Sequence, residues 1–401
     1  MKLGVMGWAN RLTRFAIFGL FASLALSRSL FTLFAVLALL AWLFVGNYRE
    51  RVSLIVRNPA TLLAVVLVLW MFVTALWSDP AGQTTSALNV YWKLLLIPIV
   101  VSTMTRPDDV DRCWQFFAAG IVVLLAHVYG LFWYTPSWVG DTAQPASVFF
   151  NRLPQAVALA IFSGWCLHQL LERHTSAIRR SWLVLGFLAA SGGVLLISPQ
   201  RLGYLSWGVM VLFAVGIRFP RSWRLTGLGL ALLTLVFIFS LNPVVRDRVL
   251  LGLSEWQQYD GSTNYSSIGS RRYMWATTWG LIQEHPLWGY GTGSYGALVE
   301  RKFADAQMCA VGCIHPHNQF LLIWLEQGIF GLATFVGMLI SIAGYHLRRL
   351  SFHFIAMPVL IVFLMSCMVD SPLWYRGFVY LFVPILGLIS IRRGHVNAKD
   401  G

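Results

Sequence analysis

Long apolar stretches alternate with short polar ones over almost the whole chain. We distinguish twelve such stretches, the first at about residues 13–27 and the last at about 374–391. A helix that crosses a bilayer needs about 20 apolar residues. Because the bilayer core contains no water, the backbone N–H and C=O groups there must hydrogen-bond to each other, as they do in a helix. The pattern therefore predicts an all-α integral membrane protein with about 12 transmembrane helices.

One polar segment is much longer than the others and separates the ninth apolar run from the tenth. Within it, Arg271, Trp275 and Trp279 are spaced at intervals of four residues, which puts them on one face of a helix, and Ser270 is a suitable N-cap. The chain thus divides into transmembrane helices 1–9 (residues 1–241), a loop domain carrying short helices (242–316), and transmembrane helices 10–12 with a tail (317–401).

Composition supports the membrane class and assigns its orientation. Apolar residues make up 57% of the chain and charged residues 11%, against about 25% charged in soluble domains. Of the 30 lysines and arginines, 19 lie in alternate short segments that include both termini. The positive-inside bias therefore predicts cytoplasmic N- and C-termini and an outer loop domain. The scattered net charge of +14 does not indicate nucleic-acid binding. Cys113, Cys166 and Cys367 lie in apolar runs and are predicted to be inert.

Several basic residues lie near the outer ends of the predicted crossings, where charge is costly and commonly functional. They are Lys93, Arg152 and Arg201, and the loop adds the pair Arg271 and Arg272. A planar guanidinium binds phosphate oxygens in pairs and stays charged at physiological pH. These five residues are therefore predicted to hold a diphosphate. Asp370 and Arg376 flank the last outer turn. For Arg376, snorkelling of the side chain to lipid headgroups remains an equal alternative.

The loop domain ends in a histidine motif, His315-Pro316-His317-Asn318. Pro316 fits the first position of a helix, which would put His317 in the first helical turn. Because a helix N-terminus disfavours imidazolium, His317 is predicted to be neutral and able to accept a proton. Asn318 and His315 are predicted to support it. No acidic cluster of the kind that binds divalent metals is visible, so no metal is predicted.

Two further loop motifs have competing interpretations. Cys309 and Cys313, with the two histidines that follow, offer zinc-like ligands at compressed spacing. An oxidising compartment favours a Cys309–Cys313 disulfide instead. The run from Gly291 to Gly296 matches the glycine pattern of dinucleotide-binding loops, but no strand precedes it, so these glycines are predicted to form a turn.

The stretch from Gly269 to Gly331 resembles a known signature. The residues that carry the resemblance are Gly269-Ser-Arg271 with Trp275, Glu284-His-Pro-Leu-Trp-Gly-Tyr-Gly291, His315-Pro-His-Asn318, and Glu326 with Gly328 and Gly331. They resemble the O-antigen ligase and polymerase superfamily, which includes O-antigen ligases, O-antigen polymerases and protein O-oligosaccharyltransferases.

The resemblance implies a GT-C-like architecture and a glycosyltransferase of the bacterial inner membrane with its active site at the periplasmic face. It implies metal-independent, inverting transfer of a polysaccharide from undecaprenyl diphosphate, without a cofactor. His317 matches the catalytic histidine of the family, Arg271 its loop arginine and Arg201 its outer-turn arginine. The expected partners are the lipid-linked donor, a lipid A–core acceptor and membrane lipids.

Four functions remain to be distinguished at this stage. A ligase would use a sugar hydroxyl of lipid A–core as acceptor, a polymerase a second lipid-linked chain, and an oligosaccharyltransferase a protein hydroxyl. A transporter of lipid-linked glycan is a different class. It would carry charges at the membrane midplane, whereas the charges of this chain gather at one face. We therefore favour the ligase among the four.

Overall fold

A computed structural model describes residues 2–106, 108–134, 151–172, 176–198, 200–218, 243–257, 266–302, 314–348 and 355–392, with scattered positions between 222 and 240. Over these ranges the regular structure is entirely helical, without a strand. The predicted all-α class is therefore confirmed. The Cys309–Cys313 pair lies outside the described residues. The thiols of Cys113, Cys166 and Cys367 are free and buried, as predicted.

Sixteen α-helices are defined in the described ranges. They are α1 (Lys2–Ser23), α2 (Arg28–Leu43), α3 (Tyr48–Val56), α4 (Pro59–Thr74), α5 (Thr84–Tyr91), α6 (Leu96–Thr103), α7 (Asp109–Trp133), α8 (Arg152–Leu170), α9 (Ala177–Gly192), α10 (Arg201–Arg218), α11 (Pro243–Gln257), α12 (Ser267–Glu284), α13 (Tyr295–Lys302), α14 (Gln319–Arg348), α15 (Ala356–Val369) and α16 (Arg376–Ile389). A 3₁₀ turn (Trp92–Leu95) joins α5 to α6, and a π turn (Gly193–Ile197) follows α9.

Five helical segments of the described chain are long and apolar enough to cross a membrane. They are Pro59–Trp77, Thr84–Thr103, Asp109–Trp133, Ala177–Ile197 and Gln319–Arg348. A sixth is present if α2 and α3, which are bent by 118° at their junction, count as one span. Apolar helices of 10–17 residues add Arg201–Ile217, α15 and α16. An integral membrane protein fits this pattern, whereas the number of twelve crossings remains a prediction.

The glycine-rich segment of the predicted loop packs against a break in α14. At Gly328 the backbone leaves the helix with φ 65° and ψ −171°. The break deprives the preceding carbonyls of their helical partners. Those of Leu325 and Glu326 accept instead from the backbone N–H groups of Tyr290 and Gly291, both at 2.9 Å. The Gln327 carbonyl accepts from the indole N–H of Trp70, also at 2.9 Å.

Side chains complete the same junction. The Gln327 amide donates to the Thr292 hydroxyl at 2.9 Å, and Thr292 lies 2.8 Å from the hydroxyl of Thr74 in α4. These groups are fully buried. A buried polar group is costly unless it is hydrogen-bonded, so the network fixes the segment against the helices. Gly289, Gly291 and Gly293 all have positive φ, which agrees with the predicted turn at Gly291 and Gly293, whereas Gly296 lies inside α13 instead.

The break predicts a specific sensitivity at Gly328. A Cβ there would lie 2.0 Å from the carbonyl oxygen of Leu287, and its φ is in the left-handed region. We expect Gly328→Ala to lower the melting temperature by several degrees or to prevent folding, because both the clash and the backbone strain cost about 1 kcal/mol or more. Thermal unfolding in detergent, followed by size-exclusion chromatography, measures the effect.

Gly344→Ala in the same helix is the matched control, since a Cβ there meets nothing within 4 Å. That variant should melt at or slightly above the wild-type temperature, because alanine favours a helix by about 1 kcal/mol over glycine. Equal melting temperatures for the two variants would contradict the role given to the break.

Candidate active site

His317 lies immediately before a helix, and not inside it. Asn318 is the residue that caps α14, because its side-chain oxygen accepts from the N–H groups of Phe320 (3.0 Å) and Leu321 (3.1 Å). The prediction that Pro316 begins the helix is therefore wrong. His317 has φ 51°, a left-handed conformation that a helical turn cannot contain. The physical reason is that the Asn318 side chain caps the helix, so that its first residue is Gln319 and not Pro316.

A buried carboxylate faces both histidines of the motif. Asp370 follows α15, and its Oδ1 lies 3.5 Å from His317 Nδ1 and 3.7 Å from His315 Nδ1. The backbone N–H of His317 donates to His315 Nδ1 at 3.3 Å, and the two rings are 4.3 Å apart. His317 Nδ1 has no closer polar partner among the described residues. We call His315, His317 and Asp370 the histidine–aspartate group.

The protonation of this group follows from its burial and its charges. Burial lowers the pKa of His315 to about 4, against the opposing effect of Asp370. Burial alone would raise the pKa of Asp370, but His317, at 3.5 Å, and the nearby His315 lower it below its ordinary value. A neutral His315 therefore lies beside an ionised carboxylate that is oriented toward His317.

A hydrogen bond holds the Asp370 turn against the start of α14. The side-chain oxygen of Gln319 accepts from the backbone N–H of Leu373 at 2.6 Å, and Asp370 Oδ1 accepts from the N–H of Ser371 at 2.7 Å. The first of these hydrogen bonds joins residues 54 positions apart in the chain, and the second fixes the carboxylate within its own turn. They explain why the carboxylate and the histidines meet.

Arg271 brings a guanidinium to the same place. It lies in the first turns of α12, which begins one residue after the N-cap Ser266, whose hydroxyl accepts from the Gly269 N–H at 3.0 Å. The predicted N-cap Ser270 lies inside the helix instead, and its hydroxyl donates to the Ser266 carbonyl at 2.6 Å. The prediction of Ser270 as N-cap is therefore wrong, because Ser266 already satisfies the free N–H groups of that end.

Burial lowers the pKa of Arg271 from its ordinary value, the negative charge of Asp370 raises it, and the positive charge of Arg201 lowers it again. Glu255 is a second carboxylate near Arg271. Arg201 is the first residue of α10, and its guanidinium packs on Gly252 of α11, where a Cβ would lie 2.8 Å from Nη1. The two arginines therefore converge on the side of Asp370 that α10, α11 and α12 enclose.

A cavity of about 380 Å³ opens between these helices. Its charged lining consists of three of the predicted phosphate ligands, and apolar side chains form much of the remainder. The lining residues are Leu153, Gln200, Arg201, Leu202, Leu205, Trp256, Ile268, Arg271, Arg272, Trp275 and Val369. Trp275 donates from its indole to the Pro316 carbonyl at 2.8 Å, and Val369 precedes Asp370. The cavity therefore adjoins the histidine–aspartate group.

The other three predicted ligands, Arg272, Arg152 and Lys93, differ in their relation to the cavity. Arg272 lines the cavity, with its guanidinium 4.7 Å from the centre of the Trp256 ring. Arg152 begins α8, and its neighbour Leu153 lines the cavity, although Arg152 does not. Lys93 is also absent from the lining, and the charged group that acts on it is Arg376. The structure thus brings three of the five predicted cations together.

The main residue that the sequence analysis missed is Asp370. Its charge at the end of an apolar run was noted, but no partner could be assigned to it. The position of Asp370 would also allow it to bind a metal ion together with the two histidines. One ligand atom from each of His315, His317 and Asp370 lies within 4.8 Å of the others. However, His315 Nδ1 already accepts a hydrogen bond, and the Arg271 charge acts on the same carboxylate. Both features disfavour a cation.

Comparisons with known proteins agree with the motif. A family model described as O-antigen ligase matches residues 185–336. An O-antigen ligase of Salmonella typhimurium is 32% identical over 166 residues, which cover 39% of this chain and 39% of that protein. A putative polysaccharide ligase of Rickettsia bellii is 26% identical over 194 residues, 46% of this chain and 44% of that protein.

The matches thus span less than half the length of these curated relatives. The segment matched by the family model contains Arg201, Arg271 and His317, whereas Asp370 lies beyond its end. Together with the all-helical membrane fold, the comparisons support the O-antigen ligase superfamily for this chain and confirm the resemblance found in its sequence.

Proposed function

We propose that this protein is an O-antigen ligase, which transfers a polysaccharide from undecaprenyl diphosphate to a sugar hydroxyl of lipid A–core oligosaccharide. The observation that carries the proposal is the contact between the histidine–aspartate group and the arginine-lined cavity. The histidine–aspartate group offers a base that can deprotonate an alcohol, and the cavity offers cations that can bind a diphosphate. The charge distribution along the chain supports cytoplasmic termini and an active site at the periplasmic face of the inner membrane.

Arg201 and Arg271 are the proposed ligands of the donor diphosphate, and Arg272 provides a third cation at the wall. Negative charge grows on the diphosphate as its bond to the sugar breaks, and fixed guanidinium groups stabilise that charge. The apolar part of the cavity, formed by Leu202 and Leu205 among others, suits the first isoprenoid units of the lipid. Arg152 lies at the edge of this region and is proposed to assist there.

His317 is the proposed general base. The acceptor hydroxyl oxygen attacks the anomeric carbon, the bond from that carbon to the diphosphate oxygen breaks, and the hydroxyl proton passes to the imidazole. The diphosphate leaves with the lipid. Asp370 lies 3.5 Å from Nδ1, so its carboxylate would orient the ring and stabilise the imidazolium that forms. His315 and Asn318 hold the backbone of this segment. A single displacement of this kind inverts the anomeric centre.

His317→Ala tests the base directly. We expect transfer to fall by about 10²- to 10⁴-fold, which is the usual contribution of a general base, while binding of the lipid-linked donor changes little. In vitro transfer with defined donor and acceptor measures the first quantity, and equilibrium binding of donor measures the second. His285→Ala, at an exposed histidine of the same loop domain, is the control and should retain activity. Full activity of His317→Ala would refute the assignment.

Removal of divalent metal ions is expected to leave the reaction unchanged. The arginines supply the positive charge that a metal would otherwise supply to a diphosphate, and no acidic cluster was predicted to hold one. Transfer should therefore proceed within about twofold of its normal rate in excess EDTA, given the charge stabilisation expected from the guanidinium groups. A loss that added Mg²⁺ or Zn²⁺ restores would instead assign the histidine–aspartate group to a metal ion.

The low pKa of His315 predicts how stability depends on pH. The folded protein keeps His315 neutral down to about pH 4, whereas the unfolded chain takes up a proton near pH 6.5. The unfolded state therefore binds more protons between these values, and stability is lost as the pH falls through this window. Melting temperatures should fall more for the wild type than for His315→Asn between about pH 7 and about pH 5. Parallel curves would contradict a neutral, buried His315.

A further inference from the structure

A second group of basic residues lies on another side of the histidine–aspartate group. It consists of Arg28, the first residue of α2, Lys93, in the 3₁₀ turn after α5, and Arg376, the first residue of α16. We call these three residues the second basic cluster. Arg28 and Arg376 are exposed, whereas Lys93 is only 4% exposed, and α16 contacts both α2 and the 3₁₀ turn that carries Lys93.

The charge of Lys93 is only partly compensated. Its ammonium donates to the Asn89 carbonyl and lies 4.9 Å from the ring centre of Trp92 and 5.9 Å from that of Tyr380. The charge of Arg376 acts on it with the same sign. Aromatic faces attract a cation by about 0.5–2 kcal/mol, which is small beside the cost of burying a charge that has no counter-ion.

The whole cluster lacks acidic partners in the described part of the chain. No ion pair joins Arg28, Lys93 or Arg376 to a carboxylate there. By contrast, Arg14 and Arg301 of the same chain pair with Asp109 and Asp79. Like charges held together without a counter-ion repel each other, so a bound anion would relieve both the repulsion and the burial of Lys93.

Tyr375 connects the cluster with the histidine–aspartate group. Its ring centre lies 6.4 Å from that of His315, and the charges of both Asp370 and Arg28 act on its hydroxyl. Arg376 follows it directly in the chain. Arg201 and Arg271 instead line the cavity, which none of the three cluster residues does. Two separate groups of cations therefore lie near the histidine–aspartate group.

We propose that Arg28, Lys93 and Arg376 bind a phosphate group of the acceptor glycolipid. This inference rests on the proposed function, because a transferase must hold two substrates beside one base and the cavity is already assigned to the donor diphosphate. Two guanidinium forks and an ammonium group suit a phosphate monoester. Two of the three cations begin helices, whose N-terminal ends add positive potential. The cluster would thus orient the acceptor so that its hydroxyl reaches His317.

The test compares the native acceptor with its phosphatase-treated form on the full-length protein. Lys93→Met keeps the buried stem and removes the charge, and Arg376→Gln changes an exposed residue. Each should raise the acceptor KM by about 10-fold, the usual loss for one charged hydrogen bond, and leave the donor KM within about twofold. On the dephosphorylated acceptor, the variants and the wild type should have equal KM values. Arg112→Gln, at an exposed arginine of α7, is the control and should match the wild type.

Three results would overturn the inference. A rise in the donor KM would assign Lys93 to the donor diphosphate. An equal loss on the dephosphorylated acceptor would make the residues structural. An effect of Arg376→Gln that occurs in nanodiscs containing phosphatidylglycerol, but not in those of phosphatidylcholine alone, would assign the cluster to bilayer lipid.

A binding measurement separates this inference from the proposed function. Equilibrium binding of the two acceptor forms requires no transfer. Tighter binding of the phosphorylated form, lost in Lys93→Met, would support the cluster even if the wild type transferred nothing. Transfer without any preference for the phosphorylated acceptor would leave the function intact and refute the cluster.

Discussion

The Asp370 carboxylate is the contact on which the site depends. It faces His315 and His317 from the turn after α15, and the charge of Arg271 acts on it from α12. A buried carboxylate without such partners would be too costly to remain ionised. With them it remains charged, as its lowered pKa indicates, and it links the end of α15 to the histidines before α14 and to α12.

The position of that carboxylate in turn depends on how α14 is built. The helix is capped by Asn318, tied to the Asp370 turn by Gln319, and interrupted at Gly328. The interruption frees backbone carbonyls, and the glycine-rich segment supplies N–H groups for two of them. Because lipid offers no other partners, the break and the segment require each other. The same helix therefore begins just after the proposed base, and its break holds the glycine-rich segment in place.

The proposed chemistry depends on two separate groups of basic residues near one imidazole. Arg201 and Arg271 line a cavity with an apolar extension, whereas Lys93 and Arg376, whose charges act on each other, do not line it. If each group binds one phosphate-bearing substrate, repulsion between the two lipids is screened by the cations between them. The base would then be reached by the acceptor from one side and by the sugar of the donor from the other.

The class of the molecule and several residues of the site could be predicted from local features of the amino-acid sequence. Apolar periodicity and hydrogen-bond demand in lipid are local properties, so the helical membrane fold could be predicted without any tertiary contact. Arg201, Arg271 and His317 were selected for the same kind of reason, since charged or titratable side chains in an apolar chain are conspicuous. The left-handed glycines of the loop were also predictable, because their residue type alone permits that backbone.

Which of these residues meet depends on how the helices pack in the folded chain. Asp370 is 53 positions from His317, and nothing in the local pattern around either residue indicates the other. Lys93 was grouped with the arginines by its charge, but the packing of α16 against the turn after α5 gives it a different neighbour. The start of α14 was misassigned for a related reason. Proline and asparagine both suit a helix start, and the choice rests on which backbone N–H groups the folded chain leaves to be capped.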